Sequence, residues 1–172
     1  MLKTAFYPCC GMDIKFPIKL LSERISDFYF CDIWLDKFKK SRKFPKNLDT
    51  NIQLHFLNDN VWDAVLNLPQ IDILFYRRDG MSEGGSGVEI LFDEFLSLLL
   101  KKFPDHGGTI ITDGSNASRD YRYDLMLEGE IKIDRKMTMR SWTPPRSPIK
   151  SINVYTDLSC SIDSDDKVKL YE

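Results

Sequence analysis

The apolar positions of this chain fall into short blocks of two alternating kinds. Residues 4–7 form a brief apolar run closed by Pro8. Pro17 then stands where a helix tolerates proline, in its first turn, and Ile18, Leu20, Leu21 and Ile25 supply an apolar face. Residues 27–33, DFYFCDI, are aromatic and β-branched enough for a strand. A basic helix is predicted over 34–44, ended by Pro45. A strand follows over 51–56, a short helix over 61–66, and a strand over 71–76 whose run IDILFY is nearly all apolar. Such a run suits a strand buried on both faces. The best helical stripe is Val88, Leu91, Phe92, Phe95, Leu98 and Leu99, and Ser86 with Glu89 fits a capping box at its start. Gly107-Gly108 breaks the chain before a strand at 109–112.

Strands alternating with helices predict βαβ units and a parallel sheet. The last third differs. Residues 125–139 alternate with period two, and 149–155 read as another strand, so antiparallel strands are expected there. Pro144, Pro145 and Pro148 stiffen the loop between them. The fold class expected is therefore α/β, a Rossmann-like three-layer sandwich whose mainly parallel sheet gains antiparallel strands from the C-terminal third. One domain over 1–172 is expected, with a parallel core to 116, edge strands over 117–160 and a polar tail over 161–172.

Composition narrows the class without changing the fold. With 172 residues, 42% of them hydrophobic and 29% charged, the chain is long enough to bury a core without disulfides or metal. A net charge of −2 gives no global attraction to nucleic acid or membrane. The N-terminus does not read as a secretory signal, since Pro8 interrupts it early, and no apolar run approaches the roughly 20 residues of a membrane span. Cys9, Cys10, Cys31 and Cys160 contain no CxxC pair, which suggests free thiols in a reducing cytoplasm. His55 and His106 lack metal-ligand spacing, so no metal is expected.

In a doubly wound sheet, ligands bind beyond the carboxyl ends of the strands. Four segments should meet there: 7–13, 32–34, 58–60 and 77–87, with 113–116 at the edge. In the first, Tyr7 and Cys10 flank a loop whose single glycine, Gly11, lets backbone approach a ligand. Asp32 ends the second strand 21 residues after Gly11. That is the spacing of a ribose-binding carboxylate, and equally an ordinary strand-end aspartate. Residues 83–87, EGGSG, precede the best helix and read as an anion cradle or as a loop with a good N-cap. Arg77 and Arg78 either grip an anion or pair with Asp79 and Glu83. Cys9 or Cys10 is a nucleophile only if its thiol is activated. The basic run of Lys37, Lys39, Lys40, Arg42, Lys43 and Lys46 reads as a solvated helix face or a phosphate contact.

On Gly11, Asp32, Asn58-Asp59 and Gly107-Gly108, in this order of elements over about residues 4–113, the chain resembles the class I S-adenosylmethionine-dependent methyltransferases. That resemblance implies S-adenosylmethionine, or a related adenine nucleoside or nucleotide, held by Tyr7, Cys10, Gly11, Asp32 and Asp59. Methyl transfer by proximity would follow, with Asp79 or Glu83 as base. The chain departs from the family's pattern in its first loop, where Tyr7-Pro8-Cys9-Cys10 replaces an acidic residue and further glycines, and after the fourth strand, where Arg77-Arg78-Asp79-Gly80 stands. The alternative is a non-catalytic domain on the same fold that binds a nucleotide or a protein partner.

Overall fold

The computed structural model describes residues 2–77, 79, 85–88, 90, 93–112, 128–134, 137–142 and 152–156, the last three segments as backbone. Expectations resting on Arg78, Glu83, Glu89, residues 113–116, the loop prolines, Cys160 and the polar tail lie outside them.

Five strands follow the order of the hydrophobic blocks: β1 (Lys3–Pro8), β2 (Ile25–Cys31), β3 (Gln53–Leu57), β4 (Ile73–Tyr76) and β5 (Gly108–Thr112). Between them lie α1 (Lys15–Leu21), α2 (Leu35–Lys39), α3 (Val61–Asn67) and α4 (Asp93–Leu100). The chain is thus α/β, and these five strands pair in parallel in the order β3-β2-β1-β4-β5. The direction of winding reverses between β1 and β4. Beyond β5, the sheet continues with β8 (Ile152–Thr156), β7 (Met137–Trp142) and β6 (Glu128–Asp134). The strand that joins the core, β8, runs parallel to β5; β7 pairs antiparallel with both β8 and β6.

Burial follows position in the sheet. Ala5, Phe6 and Tyr7 of β1 and Leu74, Phe75 and Tyr76 of β4 are sealed on both faces. In β2, Phe28 and Phe30 are buried while Asp27 and Tyr29 are half-exposed, and no residue of the edge strand β3 is fully buried. Aromatic rings tie these strands together. Tyr7 meets Phe75 edge-on at 5.0 Å, and Phe30 stacks on Phe56 at 5.6 Å. Trp62 of α3 meets Phe95 of α4 edge-on at 4.9 Å, which joins those two helices.

Two helices are shorter than their patterns suggest. The sequence predicts α2 over 34–44, yet it ends at Lys39, because the run from Lys40 to Lys43 has no apolar face to anchor it and short helices are marginal in water. At the start of the stripe, Ser86 to Val88 are not helical and Ile90 lies in a turn, and α4 is described from Asp93. Gly87 takes φ +69°, a left-handed conformation that interrupts a right-handed helix begun at Ser86. The Ser86 hydroxyl instead accepts from the Val88 N–H at 3.0 Å, a local turn rather than a helix cap.

Glycine before β5 has a packing reason. A Cβ on Gly108 would lie 2.1 Å from the Phe103 ring and 2.9 Å from the Asp72 carbonyl oxygen. Phe103 thus packs directly on the strand's entry. Among the described residues no helix is long and apolar enough to cross a membrane.

Candidate functional site

The carboxyl ends of β1, β2, β3 and β4 open onto one crevice of about 750 Å³, a size suited to a small ligand. Of the site residues expected from sequence, Tyr7, Cys10, Gly11, Asp32, Asp59 and Asp79 all line it. The doubly wound order brings them together, since each ends a strand or begins the following turn.

The first loop is held closed from two sides. Gly11, at φ +55°, donates its N–H to Asp32 Oδ2 at 3.0 Å, and Trp34 donates its N–H to Asp32 Oδ1 at 2.8 Å. Asp32 therefore bridges the β1–α1 loop to the β2–α2 turn. On the other side, Arg77 donates from Nε and Nη2 to the two Asp13 oxygens at 2.6 and 2.9 Å. The guanidinium carbon lies 3.6 Å from the Phe16 ring centroid. The Tyr7 hydroxyl sits 2.8 Å from the Arg77 carbonyl oxygen and 3.0 Å from Asp13 Oδ2, and its one proton serves either acceptor. The cation at the end of β4 thus reaches across the crevice floor to α1's approach. The sequence suggested an anion or the adjacent Asp79 and Glu83 as its partners; the partner is Asp13.

Asp79 lies buried at the wall, where it accepts the Ser86 N–H at 2.8 Å and the Ser86 hydroxyl proton. Asp59 is exposed and accepts the Asn60 N–H at 2.7 Å. Asn60 in turn caps α3 by accepting from Trp62 at 3.0 Å. Asn58 accepts the Asp36 N–H at 2.8 Å and so ties α2 to the end of β3.

The thiols are held protonated. Burial pushes Cys9 up to about 12, and the Asp79 and Asp32 carboxylates add to the rise against a hydrogen bond with Ser86. Burial likewise takes Cys31 to about 12 and Cys10 well above the ordinary thiol value, with Asp32 raising both. A nucleophile needs the thiolate, so the upward direction of these shifts argues against the reading of Cys9 or Cys10 as one. Burial, then Asp13, also raises the Tyr7 phenol. Cys9 stands at φ +53° without being glycine, a strained conformation at the end of β1. Among the described residues no group of His, Cys, Asp and Glu side chains is placed to hold a metal ion.

Sequence reasoning placed segments 7–13 and 32–34 at the crevice but did not single out the apolar side chains within them. Met12, Ile33 and Trp34 line its mouth and are 43%, 55% and 56% exposed. The signal was present: three large apolar residues stand directly beside Gly11 and Asp32, in turns that usually carry polar side chains.

No family model matches the chain, and no curated protein matches it. A solved crystal structure from Methanobacterium thermoautotrophicum, described as precorrin 8W decarboxylase, aligns with 91% of this chain and 77% of its own at a TM-score of 0.52 and 17% identity. Identity that low speaks to the fold alone. The protein so aligned is described as a decarboxylase and no comparison returns a methyltransferase, so the membership read from sequence in the class I methyltransferases is corrected, and with it the methyl-transfer function built on S-adenosylmethionine. The physical reason lies in the residues that carried the resemblance. Asp32 bridges two backbone N–H groups, Asn58 fastens α2, Asp59 holds Asn60, and Gly108 makes room for Phe103. Each has a structural task that a doubly wound sheet sets whatever chemistry it serves.

Proposed function

We propose that this chain is a small-molecule-binding domain on a Rossmann-like, three-layer arrangement, with its ligand in the crevice above β1, β2, β3 and β4. One observation carries the reading. Of five large apolar side chains exposed among the described residues, Met12, Ile33 and Trp34 gather at the mouth of the 750 Å³ crevice. Exposed apolar surface gathered at a cavity that also carries carboxylates is a mark of ligand contact. The occupant this favours has a flat apolar part that lies against Trp34 and polar groups that reach Asp32 and Asp59. A nucleoside meets that description. Protonated thiols make the crevice a place of binding rather than of thiol chemistry.

The test is a titration of the protein with nucleosides, read by the 15N–1H signal of the Trp34 indole and by the melting temperature. A ligand at one hundred times its Kd adds about 2.7 kcal/mol of stability. Trp34→Ala should abolish the ligand-induced rise in melting temperature and leave the free protein's melting temperature within about 1 °C. A panel of nucleosides at millimolar concentration that moves neither signal defeats the reading.

A further inference from the structure

The crevice has an uneven inventory of donors and acceptors, and this bears on what it admits. In folds of this kind a phosphate is received by unoccupied backbone N–H groups of the loops and helix starts around the site. Here four such groups already donate to carboxylates of the chain itself. Gly11 and Trp34 donate to Asp32, Asn60 to Asp59, and Ser86 to Asp79, at 2.7 to 3.0 Å. The one cation lining the crevice among the described residues, Arg77, is held by Asp13 through Nε and Nη2, which leaves its buried Nη1 as the one guanidinium nitrogen without a partner. Among the described residues, three carboxylates with every partner accounted for, those of Asp13, Asp32 and Asp59, stand with this guanidinium around the same space.

Resting on the binding role argued above, we propose that the crevice selects a phosphate-free ligand that brings its own hydroxyl or ammonium donors, and turns away the phosphorylated form of the same molecule. The chain supplies its own anions where a nucleotide-binding loop leaves room for the ligand's. A carboxylate accepts about four hydrogen bonds, so Asp32, with one backbone N–H on each oxygen, keeps acceptor capacity for a donor-bearing ligand. A phosphate placed there meets carboxylate charge in a partly enclosed site, where repulsion is stronger than in water. The exposed rim of Met12, Ile33 and Trp34 adds an apolar contact that is indifferent to charge, so the discrimination lies in the floor and walls.

Two matched pairs of probes test this: adenosine against adenosine 5′-monophosphate, and tryptamine against indole-3-propionate. Binding is followed at the Trp34 indole signal in low salt. The donor-bearing member of each pair should bind at least tenfold more tightly than its anionic partner. The gap should shrink severalfold in 0.3 M salt, since charge repulsion at a partly open site is screened. Asp59 is exposed and its carboxylate accepts only the N–H of the adjacent Asn60, whose own side chain caps α3, so Asp59→Lys should keep the fold and narrow the gap at least threefold. Equal or tighter binding of the anionic members overturns this inference and leaves the binding role standing, as does a gap that Asp59→Lys and salt leave unchanged. A Trp34 signal unmoved by all four probes overturns the binding role and the inference together.

Discussion

Arg77 and Asp13, 64 residues apart, meet through two parallel N–H···O contacts of 2.6 and 2.9 Å beneath the crevice. The Arg77 side chain is 2% exposed and that of Asp13 15%. Such a pair adds little over an apolar replacement of both partners, but removing one strands a buried charge. Asp13→Ala should therefore cost about 3 kcal/mol, and Arg77→Met with Asp13→Leu together distinctly less than the sum of the singles. Urea unfolding of Asp13→Ala, of the singles Arg77→Met and Asp13→Leu, and of their double measures this. Additive losses would show that the two groups act independently.

The protonated thiols tie stability to alkaline pH. Cys9 and Cys31 are raised to about 12 in the folded chain from an ordinary value of 9.0, and Cys10 is raised as well. A group whose folded pKa lies above its unfolded one contributes stability that is fully present below the unfolded value and is lost as pH rises through the folded one. The melting temperature should hold up to about pH 9 and fall steadily towards pH 12, and Cys10→Ala should flatten the fall. Thiol accessibility offers a second measure: at pH 8 the thiolate fraction of Cys9 is roughly a thousandfold below that of a free thiol, so iodoacetamide should modify it correspondingly slowly in the native state. Alkylation of Cys9 at the free-thiol rate would contradict the burial seen here.

Gly108 is the tightest point of the core's edge. With the Phe103 ring and the Asp72 carbonyl oxygen in the way of a Cβ, Gly108→Ala should destabilise by about 1–3 kcal/mol through displacement of Phe103 and of the start of β5. Gly11 differs. Nothing lies within 4 Å of its missing Cβ, and its cost is conformational, φ +55°. Gly11→Ala should lose about 1–2 kcal/mol and Gly11→Asn less, because asparagine tolerates that region. Thermal melts of the three variants distinguish crowding from backbone strain.

Much of the fold was legible because β1 and β4 lie inside the sheet and read as unbroken apolar runs. The strand-end rule then gathered Gly11, Asp32, Asp59 and Asp79 around one crevice without any structural knowledge. What the sequence concealed were relationships between distant residues. Nothing local marks Arg77 as the partner of Asp13, and the neighbouring Asp79 is the more obvious choice on the page. The start of α4 was hidden by the left-handed turn at Gly87, which a helical stripe does not report. The chemistry was misread because glycine and aspartate at strand ends serve turns as readily as cofactors.

Strand β5 meets its outer neighbour late. Its partner on that side, β8, is separated from it by residues 113–151, and the two run parallel, so no tight hairpin can bring them together. While the chain emerges from the ribosome, β5 can dock on β4 well before residues 152–156 exist, and its other side then offers a row of unpaired backbone groups. An unfinished product cut near residue 115 would carry this adhesive border permanently. The completion of β8 is therefore also the moment at which the border of β5 is covered, leaving β3 and β6 as the edges of the sheet.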